Sequence, residues 1–253
     1  GKGSGAGGIG LLVWGGDVTI KGGMSPASLT VNGYPKSDTN DGSCGIEVVS
    51  NLTIESGNII TSVSRRKNHN GASGAIYVAS TGTLNINGGS VIATGDGRFG
   101  LSARGNVNMS DGKFKIIGIN KVAVDHMTES PFTLSGGTVT IISPTNNIGL
   151  STKGNLTIKG GTMDVNILEI APGVITTVED GTLETGGIKI GDNGKLINRG
   201  ELIANGNFEG NGTIENTGTI SGSGNVPEGV RRNPGDVGIR NSTLERNYSA
   251  EKI

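Results

Sequence analysis

One short phrase recurs along this chain: an apolar–polar–apolar run, a turn holding Gly, and a second apolar–polar–apolar run. Asn51-Leu52-Thr53-Ile54-Glu55-Ser56-Gly57-Asn58-Ile59 returns as Thr83-Leu84-Asn85-Ile86-Asn87-Gly88-Gly89-Ser90-Val91. It returns again from Asn106 to Phe114, from Phe132 to Val139, and most cleanly as Asn155-Leu156-Thr157-Ile158-Lys159-Gly160-Gly161-Thr162-Met163. Repetition of this kind constrains the fold before any single residue does, because each unit buries its apolar face on its neighbours.

The residue after each Gly turn marks the register: Asn58, Ser90, Lys113, Thr138, Thr162, Thr182, Glu201 and Thr219. Successive differences are 32, 23, 25, 24, 20, 19 and 18, so the period shortens toward the C-terminus as loops drop out. A floor near 18 residues fits three strands of about four residues with three tight turns. The first strand of each unit is read in Gly45-Ile46-Glu47-Val48, Ala75-Ile76-Tyr77-Val78, Gly100-Leu101-Ser102-Ala103, Ala123-Val124-Asp125-His126 and Gly149-Leu150-Ser151-Thr152. The Leu-Thr-Ile phrase supplies the second strand, and the run after the Gly turn supplies the third. All alternate apolar and polar, and no stretch follows the helical period. The chain is therefore expected to be all-β: a single-stranded parallel β-helix of about nine coils, three short strands per coil, with Gly and Asn at the corners.

Composition agrees with a narrow core. Aromatics are 3% of the 253 residues, too few for an ordinary globular interior, while stacked Val, Ile and Leu need few of them. Gly numbers 47 without a three-residue period and Pro only 7, which excludes collagen. A formal charge of −1 gives no electrostatic reason to expect nucleic acid or an anionic membrane as partner. No apolar run approaches the ~20 residues a membrane-spanning helix needs. The lone Cys44 has no partner for an internal disulfide and is expected as a small buried side chain before a strand.

The repeats assign residues 1–8 to a flexible leader, 9–226 to the β-helix and 227–253 to a C-terminal cap or linker. Gly3-Ser4-Gly5-Ala6-Gly7-Gly8 matches a dinucleotide fingerprint in letters alone, with no strand before it or helix after it. Residues 21 to 44 hold Pro26, Pro35 and Asp38-Thr39-Asn40-Asp41-Gly42, and read as a loop or hairpin bulging from the stack.

The phrase Gly154-Asn155-Leu156-Thr157-Ile158-Lys159-Gly160-Gly161-Thr162-Met163 resembles secreted right-handed β-helix proteins of clostridia and their relatives, often called carbohydrate-binding domain proteins. Residues 207 to 226, with Gly212-Thr213-Ile214-Glu215-Asn216-Thr217-Gly218-Thr219-Ile220-Ser221-Gly222, look equally like repeats of bacterial surface adhesins. The resemblance spans roughly 9–226 and implies a right-handed coil, a secreted or cell-surface bacterial location, and polysaccharide or host or cell-wall glycan as partner. Its motifs are turn chemistry, so it speaks to fold more than to ligand. The clostridial proteins carry Asp-rich calcium loops, and this chain repeats no Asp cluster.

Site candidates follow from the register. If Ile46, Ile76, Leu101, Val124 and Leu150 point inward, then Glu47, Tyr77, Ser102, Asp125 and Ser151 form an outward file ~4.8 Å apart. Val49, Ala79, Arg104, Met127 and Lys153 form a second file beside it. Glu47, Tyr77, Arg104, Asp125 and Lys153 would thus offer carboxylates, cations and a ring to a sugar chain; the bland reading is a solvated sheet face.

An enzyme would use this same face, as pectate-lyase-like proteins do. A glycosidase needs two carboxylates within ~5–9.5 Å, whereas Glu47 and Asp125 sit three strand spacings apart, near ~14 Å. No catalytic residue is assigned. Secondary candidates are Trp14, either a core plug on the first coil or a sugar-stacking platform, and the basic loop holding Arg65, Arg66 and His69. His126 is expected inward or at a corner as a satisfied structural residue.

Asp38, Asn40 and Asp41 could ligate calcium but miss the EF-hand spacing, so they read as an ordinary turn and no cofactor is assigned. The Asn-x-Ser/Thr triplets at Asn51, Asn108, Asn155, Asn211 and Asn241 read first as turn residues. The expectation is a monomeric, non-enzymatic extracellular module that binds polysaccharide or adheres. The alternatives are a lyase or hydrolase of an acidic glycan, and a passive stalk.

Overall fold

The structure, a computed structural model, describes residues 8–22, 28–33, 44–63, 74–95, 99–119, 122–127 and 130–225. Among these residues the chain is all-β, with no helix and with every strand pairing parallel to its neighbours. Most of the leader and all of the segment from 226 onward, including Asn241, lie outside the described residues. So do Asp38 to Asp41 and the basic loop of Arg65, Arg66 and His69.

The strands fall into two sheets. A nine-stranded sheet, termed here the first face, runs in order through Leu11–Val13, Ile46–Val48, Gly74–Val78, Phe99–Ala103, Val122–His126, Ile148–Thr152, Leu168–Ile170, Ile188–Ile190 and Phe208–Gly210. The sixteen-stranded sheet holds both halves of the repeated phrase and doubles back at Thr83–Gly95 and Asn106–Gly118. Its end strands Thr213–Asn216 and Thr219–Ser221 are consecutive in sequence, which leaves the sheet nearly closed.

The register marks pair one with the next in an unbroken series: Asn58 with Ser90, Ser90 with Lys113, Lys113 with Thr138, and on through Thr162, Thr182 and Glu201 to Thr219. The alternation explains the series. A slip of one residue would turn every apolar side chain of a strand into water. Inward columns are accordingly continuous: Leu52, Leu84, Val107, Phe132 and Leu156 are 0–1% exposed, as are Ile54, Ile86, Met109, Leu134 and Ile158. Burying each such side chain contributes roughly 1.5–3 kcal/mol.

The corner between the halves of the phrase demands Gly. Gly161 has φ of +71°, and a Cβ there would lie 2.5 Å from the carbonyl oxygen of Gly137, itself the corner Gly of the preceding repeat. Corner thus stacks on corner with backbone against backbone.

Two expectations change. The stretch from 21 to 44 is not all loop: Ser28–Gly33 forms a strand in register with Asn58–Val63. Leu29 and Val31 carry the same alternation as Ile59 and Thr61, a signal masked by the flanking prolines. Moreover, the two halves of the phrase are not always separate strands. Thr83–Gly95 and Asn106–Gly118 each run 13 residues through the corner, and the register between them shifts around Asp111 as a bulge. A bulge with a Gly at positive φ, here Gly112 at +90°, bends a strand without ending it.

Among the described residues the inward columns end at Val18 and Leu29. Val18 and Leu29 occupy the same columns as the fully buried Leu52 and Ile59, yet are 38% and 39% exposed. No described strand pairs on their far side.

Candidate functional site

The first face carries the sequence-derived candidates. Its strands have short apolar ends that point inward, leaving the middle residue outward: Ile46-Glu47-Val48, Ile76-Tyr77-Val78, Leu101-Ser102-Ala103. The outward residues align in register, Glu47 with Tyr77, Tyr77 with Ser102, Ser102 with Asp125, and Asp125 with Ser151. The second column continues the same backbone ladder just past each strand. The amides of Val49, Ala79, Arg104, Met127 and Lys153 donate to Val13, Val48, Val78, Ala103 and His126 carbonyls at 2.8–2.9 Å.

All five leading candidates therefore share one face. The Arg104 guanidinium lies 6.0 Å from the centre of the Tyr77 ring, at the outer range of a cation–π contact. Lys153 Nζ is 3.8 Å from Asp125 Oδ1, with the Lys side chain 51% exposed and the Asp side chain 12%. Ser130 Oγ donates to the Arg104 carbonyl at 2.9 Å and tethers the segment between these strands. Partial burial raises the Glu47 pKa above its ordinary value.

The middle of the outward file is not solvated as expected. Ser102 is fully buried, Ser151 is 7% exposed and Asp125 9%. Side-chain length is the reason. On a ~4.8 Å pitch, a serine between larger neighbours is roofed by them; Ser102 lies between Tyr77 and Asp125, with its hydroxyl 3.9 Å from the Met127 sulfur. The exposed chemistry of the face is thereby divided between Tyr77 with Arg104 on one side and Lys153, paired with the largely buried Asp125, on the other.

Sequence reasoning stopped the file too early. It runs on through Glu169, Lys189 and Glu209. Ser151 Oγ donates to Glu169 Oε2 at 2.7 Å, and Lys189 pairs with Glu209 at 3.1 Å. The signal was present in Leu168-Glu169-Ile170 and Ile188-Lys189-Ile190, which repeat the apolar–polar–apolar pattern of the earlier strands. In the other direction the file continues, among the described residues, to Leu12, which pairs with Glu47.

Trp14 is settled between its two readings in one respect: it is 74% exposed and so is not a core plug. It follows the strand Leu11–Val13 and occupies the column of Val49, whose amide donates to the Val13 carbonyl.

His126 is inward and satisfied. It shares a column with Ala103 and Thr152 and is fully buried. Its Nε2 donates to the Ser130 carbonyl, which can only accept, while Nδ1 lies 2.9 Å from Thr152 Oγ1, whose single hydroxyl proton also has the Gly154 carbonyl as an acceptor at 2.7 Å. Burial lowers its pKa despite the Ser130 carbonyl, which favours the cation. Phe132 meets the ring edge-on at 6.1 Å.

Glu47 and Asp125 are separated by the strands of Tyr77 and Ser102, three strand spacings or ~14 Å. Among the described residues, no group of three or more His, Cys, Asp or Glu is placed to hold a metal ion. No family model matches the chain, and neither a curated protein nor a solved structure matches it.

Proposed function

We propose that this chain is a right-handed, single-stranded parallel β-helix of about nine coils, spanning 9–226, that serves as a non-enzymatic polysaccharide-binding or adhesive module of a secreted or surface-exposed bacterial protein. Residues 1–8 act as leader and 227–253 as cap or linker. The observation that carries the reading is the convergence of Glu47, Tyr77, Arg104, Asp125 and Lys153 on one outer face, with a ring and both signs of charge within a few strand spacings. An extended sugar chain is the ligand such a face suits: the ring of Tyr77 covers a sugar's apolar side, and Arg104 and Lys153 meet hydroxyls or uronate carboxylates in charge-assisted hydrogen bonds. Each contact is shallow, so affinity is on the order of micromolar to millimolar.

A glycan array probed with the purified chain tests this, run beside an assay for new reducing ends on pectin, alginate and glycosaminoglycan. Binding without release of ends supports the module. Release of ends would make it a lyase or hydrolase, and silence on both would leave a stalk.

A further inference from the structure

Trp14 is the sole Trp of the chain and the most exposed large apolar side chain among the described residues, at 74%. Its place on the molecule is specific. Leu12 pairs with Glu47 and Glu47 with Tyr77, so the strand preceding Trp14 lies two strand spacings from that of Tyr77 on the same face. Two spacings are ~10 Å along the stack, and the two-residue offset between columns adds ~7 Å across it. On the one strand between the two rings, Val49 of the second column and the Glu47 carboxylate of the first flank the oblique path.

We propose that Trp14 and Tyr77 form a two-ring platform for an extended β-1,4-linked hexose polymer lying obliquely across the N-terminal part of the first face. The inference rests on the polysaccharide-binding reading and narrows it to a linkage. In an extended chain with a two-fold screw, alternate sugars present the same ring face on the same side. Two aromatic rings two strand spacings apart therefore engage sugars n and n+2, while the intervening sugar, turned over, passes between Val49 and Glu47. A helical α-1,4-linked glucan curves away and offers its apolar faces to one ring at a time. Charge does not set the choice: Glu47, Arg104, Asp125 and Lys153 sum to zero, so ring spacing decides the linkage and the charged groups tune which substituents are accepted.

The single Trp makes the test direct, because the chain's Trp fluorescence reports Trp14 alone. The parent chain is titrated with cellohexaose, mannohexaose and β-1,4-mannuronate hexamer, and with maltohexaose as the helical control. The expected result is a saturable change in emission with the β-1,4 hexamers and none with maltohexaose. Trp14→Ala and Tyr77→Ala, followed by calorimetry, should each weaken binding roughly tenfold, the scale of one aromatic stacking contact. Trp14→Phe should recover most of the affinity, and unchanged melting temperatures would show that all three variants fold.

Binding of the hexamers without a change in emission would overturn the Trp14 platform and leave the polysaccharide reading standing. Equal response to maltohexaose would overturn the linkage. An emission shift that depends on protein concentration alone would assign the patch to self-association and overturn it too. Failure to bind any glycan, on the array as well, would remove both readings together.

Discussion

Two buried side chains show how burial sets chemistry at the scale of a residue. The Cys44 thiol is 3% exposed and its pKa is pushed up to about 12, chiefly by burial. The thiolate is the reactive form, so alkylation in the native state should be slower than in urea by orders of magnitude. Mass spectrometry of iodoacetamide-treated protein checks this, and rapid native labelling would contradict the burial. His126 makes stability depend on pH. Its folded pKa lies below the ordinary 6.5, so the unfolded chain takes up a proton that the folded chain resists. Stability should therefore fall as pH drops below about 6.5 and level off once the folded pKa is passed. Glu47, with a raised pKa, contributes with the opposite sign at lower pH: its stabilisation is lost as pH rises above its unfolded value. The check is the loss of melting temperature between about pH 7.5 and 5.5, which should shrink in His126→Gln.

At the scale of the element, the strand is defined by its two columns, and the sequence showed both. The register marks were legible because a Gly corner recurs beside an invariant alternation, and every one pairs with the next as read. Ser28–Gly33 was missed because Pro26 and Pro35 outweighed a three-residue alternation, although proline interrupts a strand only where it stands. The merging of two strands into Thr83–Gly95 and Asn106–Gly118 was not legible, since a Gly at positive φ serves a turn and a bulge alike. Ile158 tests the inward register. It is fully buried between Leu134 and Val178, so Ile158→Ala should cost about 2–5 kcal/mol by cavity formation. Ile158→Asp should cost more, because an unpaired carboxylate replaces it. Denaturant titration reads the ranking. An unchanged midpoint in the Asp variant would contradict the inward column.

At the scale of the whole molecule, the stack converts a repeated phrase into long columns, and the candidate site is a property of those columns. Its five residues were legible as neighbours because the outward file follows from register alone. Their accessibility was not, since the roofing of Ser102 depends on the side-chain lengths of adjacent repeats. Trp14 was ambiguous because an aromatic residue just past a strand can turn inward or outward; its 74% exposure excludes the core plug. The claim that this face binds a glycan is tested most directly by one comparison. A ligand found on the array is titrated by calorimetry into the parent, into Tyr77→Ala/Arg104→Ala, and into Thr140→Ala/Asp164→Ala, which alters an outward column of the sixteen-stranded sheet, on strands Thr138–Ile142 and Thr162–Val165. Loss of binding in the first variant, with an unchanged melting temperature and parental affinity in the second, is the predicted result. Parental affinity in Tyr77→Ala/Arg104→Ala would contradict the account.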